Sequence, residues 1–356
     1  MRILIATDAW RPQVNGVVRT YERLTEELSP LGVELVFLTP TDYYTLPCPT
    51  YPEIRLSLPG FRRTGRALDR YEPDAVHIAT EGPIGWMTRR LCKKRAIPFT
   101  TSFHTRFPEY LSHRFGLPEA WTYAVQRRFH NAGAGMMVAS ATLARDLEGR
   151  GFERILPWTR GVDTELFRPR DVRLFGSDQP VYLYVGRVAV EKNIEAFLSL
   201  DLAGRKVVVG GGPMLDTLRA RYPEVTFTGK KTGLDLAEAY ASADVFVFPS
   251  LTDTFGIVLI EAMAAGVPVA AFPVTGPVDN VTPGVTGVLD HDLAAAAGRA
   301  LSLDRQVIRE QALEYSWSRA ARLFISNIES ALFARQGRRA PARLKRLLRK
   351  TRPATF

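Results

Sequence analysis

The sequence contains few cysteines and no long uninterrupted apolar segment, and both absences exclude classes of protein. Its two cysteines, Cys48 and Cys92, lie far apart, so neither a disulfide framework nor a zinc motif is predicted. The longest charge-free apolar stretch, residues 262–278, contains three prolines and is shorter than the roughly 20 residues that a membrane-spanning helix needs. The opening segment MRILIATDAW lacks the pattern of a signal peptide. We therefore expect a cytosolic protein.

The overall composition is that of a globular protein whose charge is unevenly distributed. The chain has 356 residues, of which 46% are hydrophobic and 24% charged, which predicts two domains and excludes disordered, collagenous and coiled-coil proteins. The net charge of +10 divides into +6 over residues 1–174, −5 over residues 175–334 and +9 over residues 335–356. This distribution indicates three units with different roles.

Short apolar or β-branched segments alternate with helical patterns along most of the chain. In the first half, strands are predicted at residues 2–7, 33–39, 75–79, 98–103 and 136–140. After a polar connector, residues 168–180, the alternation begins again, with strands predicted at residues 181–185, 206–209, 225–228, 245–248 and 267–271. We interpret this as an α/β protein with two Rossmann-like, doubly wound domains, residues 1–172 and 173–316. Two such domains facing each other would hold a ligand in the cleft between them.

The strongest local pattern runs from Pro249 to Glu261 and predicts a strand end, a short loop and a helix start. The first amides of such a helix lack internal partners, and together with the helix dipole they form an anion site. Asp253 precedes the helix, and Glu261 lies eight residues later, at least about 12 Å away at 1.5 Å per residue. That separation exceeds the roughly 5 Å of a retaining glycosidase pair, but it suits hydroxyls at the two ends of an elongated ligand. The alternative is a helix-capping Asp253 and a solvated Glu261.

A second pattern lies at Gly186, where a predicted strand ends and Arg187 and Lys192 follow in the loop. Two cations beyond the carboxyl end of a strand suit a diphosphate, because arginine binds it through a fork and lysine as a point charge. The alternative is ordinary surface charge, with Lys192 paired to Glu191 or Glu195.

Gly16 and His104 are the candidates in the first half of the chain. Gly16 lies where the first strand turns into the first helix, and a glycine there allows a phosphate to approach the backbone closely. A simple turn residue explains it equally well. His104 follows a predicted strand, at the edge of the sheet where ligands bind, although a lone histidine is more often structural.

Other motif matches fail. Residues 210–213 lack the dinucleotide-binding spacing, and residues 229–232 lack the upstream glycine of a P-loop. The segment Asp290-His291-Asp292 has a D-x-D pattern that binds metal in some sugar transferases, but it directly precedes a predicted helix, so we interpret it as a helix cap. We therefore predict neither a metal nor a tightly bound cofactor.

Taken together, these segments resemble the retaining glycosyltransferases of family four, which have the GT-B fold, over roughly residues 1–334. The resemblance rests on the order of short motifs: PQVNGV at 12–17, FHT at 103–105, GVD at 161–163, GR at 186–187, EKN at 191–193, GGP at 211–213 and the run from 249 to 268. It implies two domains facing across a cleft and a helix over residues 317–334 that returns to the first domain. Closure of the domains would then exclude water.

The resemblance also implies a role for each candidate residue. The donor diphosphate would be held by Gly16, Arg187 and Lys192, the donor ribose by Glu261, and the transferred sugar by Asp253. The implied donor site comprises Gly16, Arg187, Lys192, Asp253, Phe255, Gly256, Ile257 and Glu261, and the implied catalytic residues are His104, Arg187, Lys192 and Asp253. The family usually has Glu where this chain has Asp253, so the identity of the UDP- or GDP-linked sugar stays open. Members keep the anomeric configuration and usually need no metal.

The charge distribution indicates where the acceptor binds. Residues 55–128 contain 14 basic and six acidic residues with interspersed aromatics, which suits a lipid headgroup layer. The alternative is a solvated surface over ordinary core aromatics. The tail, residues 335–356, contains nine basic and no acidic residues, and its segment 343–350 has leucines on one helix face. It would lie on an anionic membrane, although a disordered tail or a nucleic-acid contact is also open.

Our main hypothesis is therefore a peripheral enzyme on the inner face of the cytoplasmic membrane. It would move a hexose-type sugar from a nucleotide diphosphate sugar to a lipid acceptor, diacylglycerol or a lipid-linked sugar, and form an α-glycoside. The alternatives are the same chemistry on a soluble or polysaccharide acceptor, a sugar-nucleotide epimerase of the same fold, and a non-catalytic nucleic-acid binder. The last leaves the nucleotide-sugar motifs unexplained, so we do not predict nucleic acid as a partner.

Overall fold

The computed structural model describes residues 1–11, 16–48, 51–109, 112, 116–176, 178–253 and 255–332. The predicted basic tail, residues 335–356, lies outside the described residues, as do positions 12–15 of the first motif. The chain packs as two compact units, of which unit 1 comprises residues 1–160 with 317 onward and unit 2 comprises residues 161–316. Within the described residues, no helix has both the length and the apolarity of a membrane span.

Unit 1 is built on a parallel sheet of six strands in the order β2-β1-β5-β6-β7-β8. Its strands are β1 (Arg2–Ala6), β2 (Glu34–Leu38), β5 (Ala75–Ile78), β6 (Phe99–Phe103), β7 (Gly135–Val138) and β8 (Ile155–Pro157). The five predicted strands are confirmed to within two residues, whereas β8 was not predicted. An antiparallel hairpin that was also not predicted consists of β3 (Thr45–Cys48) and β4 (Tyr51–Ser57).

The helices of unit 1 cover the sheet and enclose its core. They are α1 (Gly16–Leu28), α2 (Phe61–Tyr71), α3 (Pro83–Lys94), α4 (Glu119–His130), α5 (Ala141–Gly149) and, from the end of the described chain, α13 (Trp317–Leu332). Helix α1 has one apolar face, on which Tyr21, Leu24 and Leu28 are fully buried. They share one hydrophobic cluster with Phe324 and Ile328 of α13, so this helix belongs to the core of unit 1.

Unit 2 repeats the architecture with a second parallel sheet in the order β11-β10-β9-β12-β13-β14. Its strands are β9 (Val181–Val185), β10 (Arg205–Val209), β11 (Thr226–Gly229), β12 (Val245–Phe248), β13 (Val269–Ala271) and β14 (Gly287–Leu289). Its helices are α6 (Glu195–Leu198), α7 (Leu215–Arg221), α8 (Gly233–Ala241), α9 (Ile257–Ala264), α10 (Pro277–Asn280), α11 (Leu293–Ala300) and α12 (Arg305–Ala312). The five predicted strands are again confirmed, and β14 is an addition. The prediction of two Rossmann-like α/β domains is thus confirmed.

The division between the units lies at 160/161, twelve residues before the predicted boundary at 172/173. The segment 161–172 packs on unit 2 because its backbone and side chains have partners there. Val162 N donates to Tyr315 O at 2.9 Å, and the ring of Phe167 packs edge-on against Tyr240 at 5.6 Å between centroids. The guanidinium of Arg309 donates to the carbonyl of Phe167 at 2.8 Å. A polar composition alone does not reveal such backbone pairing.

Candidate functional site

The carboxyl edge of the second sheet brings two of the candidate residues into direct contact. Strands β9 and β12 are neighbours in the sheet, so the loops that follow them emerge side by side. Lys192 ends a short 3₁₀ turn after β9, and Asp253 lies in the loop after β12. The Nζ of Lys192 donates to Asp253 Oδ1 at 2.7 Å and to Oδ2 at 2.9 Å. The ammonium is therefore held by both carboxylate oxygens.

This ion pair differs from the structural roles that the alternatives gave to Asp253 and Lys192. The N-cap of α9 is Gly256, so Asp253 is not a helix cap, and Glu195 pairs with Arg221 rather than with Lys192. Burial by itself raises the pKa of Asp253, but the Lys192 ammonium outweighs it, and the pKa lies below its ordinary value. The carboxylate is consequently charged at neutral pH.

The start of α9 depends on a glycine. Gly256 has φ +74°, in the left-handed region, and a Cβ there would lie 2.9 Å from Leu259 Cδ1. The preceding residue, Phe255, is buried, and its carbonyl accepts a hydrogen bond from Asn280 Nδ2 at 2.6 Å. The chain is thus fixed just before the helix start, and the first amides of α9 begin at Ile257, four residues after Asp253.

Glu261 lies within α9 and is only 4% exposed. Its Oε2 accepts a hydrogen bond from the hydroxyl of Tyr240 at 2.9 Å. The alternative of a solvated helix residue is therefore wrong. A buried carboxylate held by a tyrosine of the neighbouring helix α8 has a defined orientation.

The loop that carries Arg187 is held by close backbone packing against a glycine segment. Gly186 N donates to Val209 O at 3.0 Å, and Val188 N donates to Gly211 O at 3.0 Å. A Cβ on Gly210 would lie 1.8 Å from the carbonyl oxygen of Gly186. The glycines after β10, which fail as a dinucleotide motif, therefore serve to seat the Arg187 loop.

In unit 1, Gly16 is the first residue of α1. Nothing lies within 4 Å of the position that a Cβ would take there, so no described neighbour requires a glycine. Its carbonyl accepts a hydrogen bond from Thr20 Oγ1 at 2.6 Å, one turn along the helix.

His104 directly follows β6, and both of its ring nitrogens face polar partners within unit 1. Nδ1 lies 2.9 Å from Arg160 Nη2, and Nε2 lies 3.4 Å from the hydroxyl of Tyr21. That hydroxyl lies 2.9 Å from His77 Nε2. Burial, followed by the positive charge of Arg160, holds the pKa of His104 well below its usual range. Sequence reasoning missed Arg160, Tyr21 and His77, because none of them belongs to a recognised motif.

Two further carboxylates at this edge of unit 1 were also missed. Asp8 follows β1 and accepts hydrogen bonds from Ile84 N at 2.8 Å and from Thr80 Oγ1 at 2.9 Å. Burial raises its pKa to about 6. Glu81 follows β5, and its Oε1 lies 3.0 Å from His130 Nε2. Their positions directly after two predicted strands were the available signal.

The interpretation of the D-x-D segment as a helix cap is confirmed. Asp292 is the N-cap of α11 and accepts a hydrogen bond from Ala295 N at 3.0 Å, while Asp290 pairs with Arg299. Across the described part of the chain, no group of three or more His, Cys, Asp or Glu side chains could hold a metal ion.

The structure thus places the candidates in two groups. Unit 2 contains Arg187, Lys192, Asp253, Phe255, Gly256, Ile257 and Glu261 in loops and one helix at the carboxyl edge of its sheet. Unit 1 contains Gly16 at the start of α1 and His104 at the end of β6.

Comparison with known proteins matches both units. A family model described as Glycosyltransferase Family 4 matches residues 14–166, and one described as Glycosyl transferases group 1 matches residues 179–304. A GDP-mannose-dependent alpha-mannosyltransferase of Mycobacterium tuberculosis is 32% identical over 319 residues, covering 81% of this chain and 83% of the relative. An alpha-monoglucosyldiacylglycerol synthase of Streptococcus pneumoniae is 25% identical, covering 85% and 78%. The solved structure of sucrose-phosphate synthase from Thermosynechococcus elongatus is similar with a TM-score of 0.75 at 22% identity, covering 94% of this chain and 99% of that one.

Proposed function

The chain belongs to the family 4 glycosyltransferases and has the GT-B fold, and we propose that it moves a hexose-type sugar to a membrane lipid with retention of configuration. The observation that carries the donor half is the Lys192–Asp253 pair, whose aspartate lies in the loop that leads into α9. The names of the relatives support the acceptor half, because one of them is a synthase of a glucosylated diacylglycerol.

The donor would lie along the carboxyl edge of the second sheet. In this proposal, Arg187, Lys192 and the first amides of α9 bind the diphosphate, Asp253 binds hydroxyls of the transferred sugar, and Glu261 binds the ribose. Lys192 already contacts a carboxylate that would face the sugar, so one ammonium can contact both the sugar-binding carboxylate and the neighbouring phosphate. The placement agrees with the general rule that ligands of parallel sheets bind at the carboxyl ends of strands.

The reaction breaks the bond between the anomeric carbon and the phosphate oxygen and forms a bond to the acceptor hydroxyl oxygen. Negative charge develops on the leaving diphosphate, where the two cations and the helix amides stabilise it. The acceptor hydroxyl attacks on the face that the diphosphate leaves, and its proton passes to a departing phosphate oxygen. The anomeric configuration is then retained without a protein nucleophile.

We propose a GDP- or UDP-linked hexose as the donor and no metal requirement. The relatives use different sugars by name, mannose from GDP-mannose in one and glucose in another. Arg187 and Lys192 supply the positive charge that a divalent cation supplies in other transferases. Turnover should therefore persist in EDTA, and its loss on chelation with recovery on adding Mg²⁺ or Mn²⁺ would contradict this part of the proposal.

An apolar and cationic surface of unit 1 supports a membrane acceptor. The hairpin β3–β4 and the segment after it expose Tyr44 and Leu58, at 81% and 59%, and Leu58 N donates to Tyr44 O at 2.8 Å. Helix α2 begins three residues later, and its Arg63 lies over the ring of Tyr43 at 5.7 Å. Exposed apolar side chains flanked by cations suit an anionic lipid headgroup layer. We call this the hairpin surface: Tyr44, Leu46, Leu56, Leu58, Arg62, Arg63 and Arg66.

The predicted aromatic contribution to such a surface is only partly present. Phe129 and Tyr123 are buried in the core of unit 1, as the alternative reading expected, whereas Trp121 is 74% exposed. Tyr110 and Phe115 lie outside the described residues. The hairpin surface is therefore the stronger support for a membrane acceptor.

Product identification tests the function directly. The protein is incubated with labelled UDP- and GDP-sugars and total membrane lipid, and the labelled product is identified. We expect the label in a glycolipid that forms with only one nucleotide base and one sugar in the donor. Label in a water-soluble glycan would support the polysaccharide alternative, and free sugar that forms without any acceptor would support the epimerase.

Vesicle flotation tests the surface. The full chain should float with vesicles that contain phosphatidylglycerol and not with vesicles of phosphatidylcholine alone, and a variant ending at residue 334 should bind more weakly. Leu58→Glu should weaken binding, whereas Leu234→Glu, at an exposed leucine of unit 2, should not. If neither full chain nor truncation floats, the membrane proposal fails.

A further inference from the structure

Arg160 is a buried cation whose partners are all neutral among the described residues. It is 6% exposed, and its Nη1 donates to the carbonyl oxygen of Trp158 at 3.0 Å. Its guanidinium carbon lies 4.0 Å from the centre of the Trp158 ring. In the described parts of the chain no carboxylate forms an ion pair with it. A buried charge without a counter-charge is costly, so stability does not account for Arg160 at this position.

The partner that remains is the ring of His104. Arg160 Nη2 lies 2.9 Å from His104 Nδ1. A guanidinium has only donors and is not deprotonated in proteins, so Nδ1 must accept this hydrogen bond and carry no hydrogen. A neutral imidazole then carries its hydrogen on Nε2. The position of this hydrogen follows from the chemistry of the arginine and not from an assumed tautomer.

The other side of the ring agrees with this assignment. His104 Nε2 lies 3.4 Å from the hydroxyl of Tyr21, which can accept from it and donate in turn to His77 Nε2 at 2.9 Å. His77 Nδ1 lies 2.8 Å from Thr100 Oγ1, and His77 Nε2 lies 3.0 Å from Ser102 Oγ. The chain of hydrogen bonds ends on strand β6, so the ring of His104 is oriented from both sides.

We propose that Arg160 is a positioning residue that holds His104 as the neutral tautomer with its hydrogen on Nε2, so that His104 offers the substrate an N–H donor and not a base. The inference rests on the proposed function and on the family resemblance, which implies that His104 is a catalytic residue. The contact from Nε2 to Tyr21 is long, at 3.4 Å, so a sugar oxygen would replace the Tyr21 hydroxyl as the acceptor of the Nε2 hydrogen in the substrate complex. Arg160 itself does not touch the substrate in this proposal.

The charges around His104 also favour a neutral ring. Burial is the main reason that its pKa lies well below the usual range, and the positive charge of Arg160 is the second. The other titratable groups that act on it are His77 and His130, and Glu81 acts on the neighbouring Tyr21. His77 stays neutral, because burial lowers its pKa to about 3. Burial and the positive charge of Arg160 thus both disfavour a protonated ring.

The tautomer can be read directly by nitrogen-15 NMR on the full chain with labelled histidine. A nitrogen that carries hydrogen and one that does not give well separated resonances, and a His104→Gln sample assigns the signals of His104 among the five histidines. We expect His104 to show hydrogen on Nε2 only, unchanged from pH 8 to pH 5.5. Hydrogen on Nδ1, or a doubly protonated ring in this range, would overturn the proposal without any variant.

Variants then test the role of Arg160. Arg160→Met removes the donor and the charge, so a population with hydrogen on Nδ1 should appear. Arg160→Lys keeps a cationic donor and should preserve the wild-type pattern in most molecules. Arg145→Met, at an exposed arginine of α5, is the matched control and should leave the His104 signals unchanged. Thermal unfolding of each variant shows that the spectra come from folded protein.

Kinetics complete the test. With the donor and acceptor identified, Arg160→Met should lower kcat roughly 10- to 100-fold, as a misplaced catalytic group does, and change the donor KM far less, while Arg160→Lys recovers part of the loss. An unchanged kcat in Arg160→Met with an altered tautomer would overturn the positioning role. If no donor supports turnover, the proposed function fails, whereas the tautomer is still decided by the spectra.

Discussion

Lys192 and Asp253 lie 61 positions apart in the sequence, and the ammonium of the first is within 3 Å of both carboxylate oxygens of the second. The pair joins the loop after β9 to the loop after β12. In the proposed function, Lys192 would contact the diphosphate of the donor and Asp253 the hydroxyls of its sugar.

Loss of the cation should abolish most of the transfer. In Lys192→Ala, we expect turnover to fall by at least about 100-fold, because a charge that stabilises the leaving diphosphate is absent. Steady-state kinetics with the identified donor measure the effect, and circular dichroism checks the fold. Lys230→Ala, at an exposed lysine after β11, is the control and should retain turnover. Wild-type turnover in Lys192→Ala would falsify the site assignment.

The length of the acidic side chain at position 253 should control how the sugar is held. Asp253→Asn removes the charge and should lower turnover more than Asp253→Glu, which keeps a carboxylate that can still pair with Lys192. In Asp253→Glu, we expect a change in the ratio of kcat/KM between two epimeric donor sugars. Equal losses in both variants, with the sugar ratio unchanged, would argue that Asp253 acts only as a structural partner of the lysine.

Variants of Glu261 and Tyr240 should separate the loss of sugar transfer from the loss of folding stability. Glu261→Gln keeps the shape and a hydrogen-bond acceptor for Tyr240, so the protein should stay folded while transfer is nearly abolished. Tyr240→Phe takes a donor from a buried carboxylate and should lower the free energy of unfolding by about 1.5–3 kcal/mol. Urea unfolding and kinetics on the two variants distinguish the roles, and full activity in Glu261→Gln would exclude the ribose-binding assignment.

Three consecutive glycines provide a test of the loop that carries Arg187. A Cβ added at Gly210 would lie 1.8 Å from the carbonyl oxygen of Gly186, and one added at Gly212 would lie 2.3 Å from that of Val188. A Cβ added at Gly211 would have no neighbour within 4 Å. Gly210→Ala and Gly212→Ala should therefore lower the free energy of unfolding by about 1–3 kcal/mol or more and reduce turnover. Gly211→Ala is the internal control, and an equal loss there would show that crowding is not the cause.

His77 should make stability depend on pH. Burial, followed by the charge of Arg160, lowers its pKa to about 3, against about 6.5 in the unfolded chain. Between these values the unfolded chain binds the proton that the folded protein rejects, so stability is complete above pH 6.5 and falls by about 1.4 kcal/mol per pH unit below it. Asp8, with its pKa raised to about 6, acts in the opposite sense, because its contribution is lost as the pH rises.

The contribution of His77 is therefore measured by comparing the pH dependence of stability between the wild type and its variants. The free energy of unfolding is determined in urea at pH 7.5, 6.5 and 5.5 for the wild type, for His77→Gln and for His291→Gln, which alters an exposed histidine. We expect the decline below pH 6.5 to be shallower in His77→Gln and unchanged in His291→Gln. The same slope in all three proteins would show that His77 is not responsible.

The strands could be predicted because burial on both faces of a parallel sheet produces continuous apolar runs. All ten predicted strands are present to within two residues. The missed strands lack such runs, since β8 has three residues and ends at Pro157, β14 begins with Gly287, and the hairpin contains Pro47. Edge and hairpin strands tolerate residues that a central strand excludes, so their sequences carry little periodic signal.

The site was only partly predictable for a related reason. Arg187, Lys192, Asp253 and Glu261 stand out because they follow strands or lie at a helix start. Which carboxylate pairs with Lys192 depends on β9 lying next to β12, and strand order is a property of the folded sheet. Arg160 gave no signal, because it follows the unpredicted β8 and meets His104, 56 positions earlier, only after the sheet has formed.

The place of α13 in unit 1 has a consequence for the order in which the chain folds. Unit 2 is inserted into unit 1, since the chain leaves unit 1 after Arg160 and re-enters it at Trp317. Trp158 Nε1 donates to Ala320 O at 3.1 Å, and Phe324 lies in the same core. During synthesis, the first 160 residues therefore emerge without one wall of their hydrophobic core, whereas residues 161–316 emerge complete. Unit 2 can fold while the ribosome is still elongating the chain, and unit 1 closes last.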